Sequence, residues 1–226
     1  MRYTIYPIGD SAIQIKLKNP DAQTLHQYTS VLQNKQCAGV YDIVPGLETI
    51  TLFYHYPNTN NEELTTTVTK ILEAPQKKIH KLPSRTLYIP TLYDGPDLQD
   101  VADFHKTTTK KIIETHSAHT YEVSMLGFLP GFPYLSGLSP LLHTPRKKEP
   151  RLQVDAGSVG IGGESTGIYP IASPGGWNLI GRTSVSLFSL EEDQPFLFQQ
   201  GDKVKFVPVS ELTKKTREDV IFYEKT

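Results

Sequence analysis

"APQKKIHKLPS", residues 74–84, decides how the rest of this 226-residue chain divides. Two prolines and four lysines or histidines crowd this stretch, so it suits an exposed connection and neither a strand nor a helix. Upstream, "YTIYPIG" and "AIQIKL" have strand composition, the second with partial alternation at Ile13, Ile15 and Leu17, and Gly9-Asp10-Ser11 suits a hairpin turn between them. Asn19-Pro20 reads as a cap and first turn, after which Ala22, Leu25, Tyr28, Val31 and Leu32 recur at helical spacing. "VYDIVP" and "ETITLFYHY" add two strands around Pro45-Gly46, and Leu64, Val68, Ile71 and Leu72 mark a second helix. Residues 1–80 are therefore expected to form a small α+β domain.

Downstream of the linker, residues 85–226 read as mainly β. "RTLYIPTLY" is a strand, Asp94-Gly95-Pro96 turns into a helix carrying Leu98, Val101 and Ala102, and a second short helix covers 109–114. From Tyr121 onward strands, turns and glycines alternate, closing with "GDKVKFVPV", in which Val204, Phe206 and Val209 suggest a strand interrupted by Pro208. A closed or nearly closed sheet is the expectation.

Composition removes several classes of function. Lys plus Arg number 23 against 24 Asp plus Glu, which leaves no positive excess for nucleic acid or anionic lipid. No apolar run approaches a membrane span, and the polar start "MRYTIYPIGDS" lacks signal-peptide order, so a cytoplasmic location is expected. Cys37 is the single cysteine and no Asn-x-Ser/Thr sequon occurs, in keeping with a reducing compartment.

Eleven of the 16 glycines lie between Gly127 and Gly181. The same region, through Arg182, carries Arg146, Lys147, Lys148, Arg151 and Arg182 against Glu149, Asp155 and Glu164. Glycine lets main-chain N–H groups approach a ligand, and arginine offers a planar fork for carboxylate or phosphate. The pattern points to an anion site, or else to a sheet with many tight turns and solvated arginines. Gly163-Glu164-Ser165-Thr166-Gly167 fits G-x-S-x-G, but "IYPIASPGG" after it cannot be a helix and no histidine follows His143, so a hydrolase elbow is rejected. His116 and His119 lack a second ligand pair for zinc, and no Walker A loop occurs.

"GFLPGFPYLSGL" (127–138), "PRKKEPRLQVDAGSVGIGGESTGIYPIASPGGWNLIGRTSV" (145–185) and "GDKVKFVP" (201–208) stand in order. With "GVYDIVPGLETITLFY" and "IPTLYDGPDL", they make the chain resemble the family of the 5-oxoprolinase B component, also called the KipI or allophanate-hydrolase-subunit-1 family, of carboxyltransferase C/D type. The likeness runs through nearly the whole chain. It departs at Asp155, where the family's VPAGSV has proline, at Gly162, which replaces alanine, and at Ser184, where proline is usual.

The resemblance implies an N-terminal α+β domain followed by a cyclophilin-like β-barrel. It implies a protein, inactive alone, that works with a larger KipA-like sister (the C component) and a third, LamB/YcsF-like partner (the A component) to open 5-oxoproline to glutamate. ATP with magnesium, held here or on a partner, would phosphorylate the ring oxygen. Inhibition of a sporulation-type histidine kinase, or a role in an allophanate or urea-type enzyme, are the other readings. On this basis Arg146 and Arg151 are expected to meet phosphate or carboxylate with Arg182 as a third, assisted by N–H groups around Gly157-Ser158 and Gly162-Gly163. Glu164 would position water or metal, or be a solvated turn carboxylate; His116 would act as acid or base. Phe128, Pro130, Phe132 and Tyr134, with Tyr169 and Trp177, would form a rigid wall beside the ligand or facing the larger sister, or else a plug inside one chain.

Overall fold

Residues 3–20, 22–74 and 85–223 are described by the structure, a computed structural model. Its chain divides into two compact units, Met1–Leu82 and Pro83–Thr226. Apart from Ala74, the linker stretch lies outside the described residues.

In the first unit, alternation sets the sheet. Strands β1 (Tyr3–Ile8), β2 (Ala12–Leu17), β3 (Val40–Pro45) and β4 (Thr49–Tyr54) pair antiparallel in the order β1-β2-β4-β3. Ile13, Ile15 and Leu17 of β2 and Ile50, Leu52 and Tyr54 of β4 are buried together. Helices α1 (Ala22–Lys35) and α2 (Asn61–Glu73) add Leu25 and Leu32, and Leu64, Val68 and Leu72, to that core. The helical spacing of these residues keeps them on one stripe, each buried side chain contributing about 1.5–3 kcal/mol. Asn60 caps α2 by accepting hydrogen bonds from the Glu62 and Glu63 N–H groups, both at 3.0 Å. Asn19 differs from the expected cap: it precedes α1 by three residues, in a left-handed conformation at φ 46°. Cys37 is buried in this core, and burial raises its thiol pKa, which makes it a packing residue and not a nucleophile.

The second unit contains β5 (Arg85–Thr91), α3 (Leu98–Phe104), α4 (Thr109–Ala118), β6 (Tyr121–Leu126), β7 (Pro133–Ser136), β8 (Arg151–Val154), β9 (Ser158–Gly162), β10 (Ser165–Ile168), β11 (Ser173–Gly175), β12 (Asn178–Arg182), β13 (Lys203–Pro208) and β14 (Ile221–Tyr223). Eight strands pair in the order β12-β9-β10-β7-β6-β13-β5-β14, with β5 parallel to β13. Leu92, just after β5, exchanges two 2.9 Å backbone hydrogen bonds with Arg182 at the end of β12, so the run of pairings returns to its first strand. Strands β8 and β11 form a separate ribbon that sets Arg151 opposite Gly175. Among the described residues no helix is long and apolar enough to cross a membrane.

One large core joins Leu87 and Ile89 of β5 to Val101 and Ala102 of α3, Ile112 of α4 and Val123 of β6. A smaller cluster of Phe132, Val154, Tyr169, Trp177 and Leu179 lies apart from it. Arg85 donates to Asp202 from Nε at 2.9 Å and also from Nη2, tying β5 to the turn before β13. Helix α4 runs one turn past the expected 109–114, which carries His116 into it. Strand β13 stops at Pro208, and Val209 follows it with its N–H on the Thr91 carbonyl at 3.0 Å.

Candidate functional site

Asp97 is the organising residue. It stands at the N-cap position of α3 but makes no side-chain cap bond there. Its carboxylate instead accepts hydrogen bonds from Lys147 Nζ at 2.6 Å, Arg151 Nη2 at 2.7 Å and the Leu179 N–H at 2.7 Å. Only 1% of Asp97 is exposed. Burial alone would raise its pKa, but the hydrogen bonds from Arg151, Lys147 and Leu179 outweigh that and hold it below the ordinary carboxylate value. The local chain makes this possible through Gly95, which lies so close to β12 that any Cβ would collide with the Leu179 carbonyl. Asp97 N–H donates to that same carbonyl at 2.9 Å.

Beside this hub opens a cleft of about 440 Å³, lined by Phe104 and Asp100 of α3, by Asn178 of β12, and by Arg146, Lys147, Lys148 and Glu149. Lys147 is committed to Asp97 and lies 3.7 Å from Asp100. Arg146 has no ion-pair partner among the described residues; its Cζ sits 5.9 Å from the Trp177 ring centroid, a cation–π contact. Arg151 faces inward with Nη2 on Asp97, while its Nη1 is enclosed without a hydrogen-bond partner.

Beneath Arg146, Phe132 is the centre of an aromatic cluster. Its ring meets those of Phe128, Tyr134, Tyr169 and Trp177 edge-on, with centroids 5.1–5.6 Å apart. Phe132, Tyr169 and Trp177 are buried, so of the two aromatic readings the interior plug describes them, and they support the cleft from below without lining it. Phe128 differs: it is 61% exposed at a tight β6–β7 turn with φ 69°, and Pro130 is exposed beside it. Gly162 is required here because a Cβ would lie 2.6 Å from Trp177 ring atoms.

Several expected roles are corrected. His116 is fully buried, far from any acid–base position on a surface. Its Nε2 meets Thr166 Oγ1 at 2.9 Å and its Nδ1 meets the Tyr93 hydroxyl at 2.7 Å. Thr166 donates its own proton to the Gly160 carbonyl, so it accepts from His116, and the Nε2–H tautomer follows. Burial, with His119 nearby, lowers the His116 pKa to about 3. Nitrogen-15 NMR is expected to show a neutral Nε2–H imidazole throughout pH 5–8; a midpoint near 6.5 would contradict this. Protonation of this group in the unfolded chain alone makes its contribution increasingly destabilising as pH falls from about 6.5 towards 3.

The glycine amides are also occupied. Gly157 N–H donates to the Tyr169 carbonyl at 2.7 Å, Ser158 N–H to Asp155 at 3.2 Å and Gly163 N–H to Thr144 at 2.8 Å. Those three donors hold the sheet together and are not available to an anion, and Gly162 serves Trp177 packing. Arg182 turns its guanidinium to Asp94, with Nε 2.9 Å from Oδ2, on the surface. Glu164 is exposed at the β9–β10 turn, which makes it the solvated turn carboxylate. No cluster of three or more His, Cys, Asp or Glu able to hold a metal occurs among the described residues. Sequence reasoning does not single out Asp97, Lys147 or Asn178; Asp97 looks like part of a helix start, and nothing local announces partners 50 or more residues away.

Residues 3–198 match the family described as carboxyltransferase domain, subdomain C and D. The chain is 42% identical to the 5-oxoprolinase B component of Escherichia coli O157:H7 over 219 residues, 93% of this chain and 98% of that one. A crystal structure of TTHA0988 superposes with TM-score 0.77 and 30% identity over 89% of this chain; the match spans only 40% of TTHA0988. The Kluyveromyces lactis urea carboxylase structure, 20% identical, shares the fold over 92% of this chain and 22% of its own, with TM-score 0.75. By domain match and by near end-to-end identity, this chain belongs to the 5-oxoprolinase B-component family of carboxyltransferase C and D proteins.

Proposed function

We propose that this chain is one subunit of an ATP-dependent 5-oxoprolinase, which opens 5-oxoproline to L-glutamate together with a larger sister protein and a third partner. The observation that carries this reading is 42% identity spread over 98% of a relative that bears the name of that component. The cleft supports it. Arg146 and Lys148, neither engaged in an ion pair among the described residues, offer positive charge to the carboxylate of a small acid. Asp97 keeps Lys147 and Arg151 fixed behind them, so these two are positioning residues.

The nearby glycine turns offer phosphate no free cradle of these amides. The Gly157, Ser158 and Gly163 amides are paired within the protein. On this reading ATP and its metal are held by a partner protein, where ATP hydrolysis supplies the free energy for opening an unreactive lactam.

Reconstitution with the two partner proteins tests the reading. ATP-dependent glutamate release from 5-oxoproline is expected; an assembled complex that releases none overturns it. In that complex Arg146→Met is expected to lower kcat/KM by about 10- to 100-fold, chiefly through KM, as the loss of a hydrogen bond to a charged group implies. Unchanged kinetics would remove Arg146 from the site.

A further inference from the structure

We propose that the cleft beside Arg146 selects ligands carrying an N–H group next to a carboxylate, and that Asn178 Oδ1 is the acceptor for that N–H. Asn178 opens β12, opposite Ile161 of β9, and is only 7% exposed although it lines the cleft. Its Nδ2 donates to the Pro145 carbonyl at 2.9 Å and lies 3.3 Å from the Ile161 carbonyl. Both amide protons are thereby used. The opposite orientation would set Oδ1 against two carbonyl oxygens, so the network fixes which atom is which.

Oδ1 is left without a protein donor among the described residues. It is not sealed from the cleft either, since the one enclosed, unpaired side-chain atom found among them is Arg151 Nη1. An immobile acceptor in a cleft edged by Arg146 and Lys148 is unsuited to an anion with no proton to donate, such as sulfate. It suits a ligand that presents an N–H beside its anionic group, with exposed Phe104 as an apolar side for the ring that carries both. A lactam acid has these features. Where such a ligand displaces water, an analogue lacking the N–H leaves Oδ1 unpaired and loses affinity.

This inference rests on the proposed function for its choice of ligand, and its test is independent of turnover. Calorimetry on the assembled complex would compare 5-oxoproline with 3-oxocyclopentane-1-carboxylate, in which a methylene replaces the N–H. Wild type is expected to prefer 5-oxoproline by about 10- to 100-fold, the cost of an unmet buried acceptor. Asn178→Ala is expected to bring the two affinities within about threefold of each other. Equal affinities in wild type, or a preference that survives in N178A, overturn the inference. Should N178A fail to assemble, the wild-type complex labelled with nitrogen-15 at asparagine side chains gives the answer. Saturation with 5-oxoproline is expected to move the Asn178 carboxamide resonance, and no movement overturns the inference. Glutamate release without ligand preference leaves the 5-oxoprolinase reading standing and this one refuted; preference without glutamate release does the reverse.

Discussion

Replacing Asp97 with asparagine is expected to destabilise the second unit by about 2–4 kcal/mol at pH 7. The carboxylate is almost wholly buried and receives three hydrogen bonds, two from cations. Its removal leaves Arg151 without a counter-charge and Lys147 with only the exposed Asp100 carboxylate 3.7 Å away. Breaking a fully buried pair costs about 3–5 kcal/mol, and the lower figure applies because both cations keep 28% side-chain exposure. Urea unfolding followed by tryptophan fluorescence measures the change, since Trp177 lies in the adjoining cluster. A difference below about 0.5 kcal/mol, typical of a surface site, would refute the hub. The pH dependence gives a second check. The folded-state pKa of Asp97 is lowered, so its stabilisation is complete above the unfolded value of 3.8 and is lost as pH falls through the folded one. The gap between wild type and D97N is therefore expected to be flat from pH 6 to 8 and to close below about pH 4.

Truncating Phe132 to alanine is expected to cost about 3–5 kcal/mol, enough to unfold a marginal domain. The ring is 1% exposed and forms four edge-on aromatic contacts. Phe128→Ala is the companion measurement: this side chain is 61% exposed, and its loss is expected to change stability by about 1 kcal/mol or less. Thermal unfolding of both variants separates an interior cluster from an exposed wall. Equal effects, or an F132A protein as stable as wild type, would contradict the interior arrangement.

Much of the secondary structure could be read from the chain because its signals are local. Ile13, Ile15 and Leu17 alternate as a half-buried strand must, and Leu64, Val68 and Leu72 recur as a helix stripe must. The site was less legible. Glycine and arginine enrichment marks the stretch in which Arg146 edges the cleft and Arg151 reaches Asp97 beside it. Composition does not reveal which donors are already spent: the amides of Gly157, Ser158 and Gly163 bond to carbonyls supplied by other segments or turns. Asp97 and Lys147 are 50 positions apart and Asp97 and Leu179 are 82 apart. Their meeting depends on how β8, β12 and α3 are brought together, and a single sequence carries no record of that. His116 shows the converse, because a histidine's reactivity is decided by water access, and Tyr93 and Thr166 close that access from both sides.

The pairing of β5 has a consequence for biogenesis. This strand begins the second unit, yet its parallel neighbour β13 starts at Lys203 and its other neighbour β14 at Ile221. A ribosome must translate more than a hundred further residues before β5 acquires either flank; the Arg85–Asp202 clasp alone spans 117 positions. The first unit, built from hairpins and adjacent helices, meets no such delay. Nascent chains should thus pass through a stage in which Leu87 and Ile89 lie uncovered on an unpaired strand, the stage at which chaperone capture or aggregation competes with completion of the sheet.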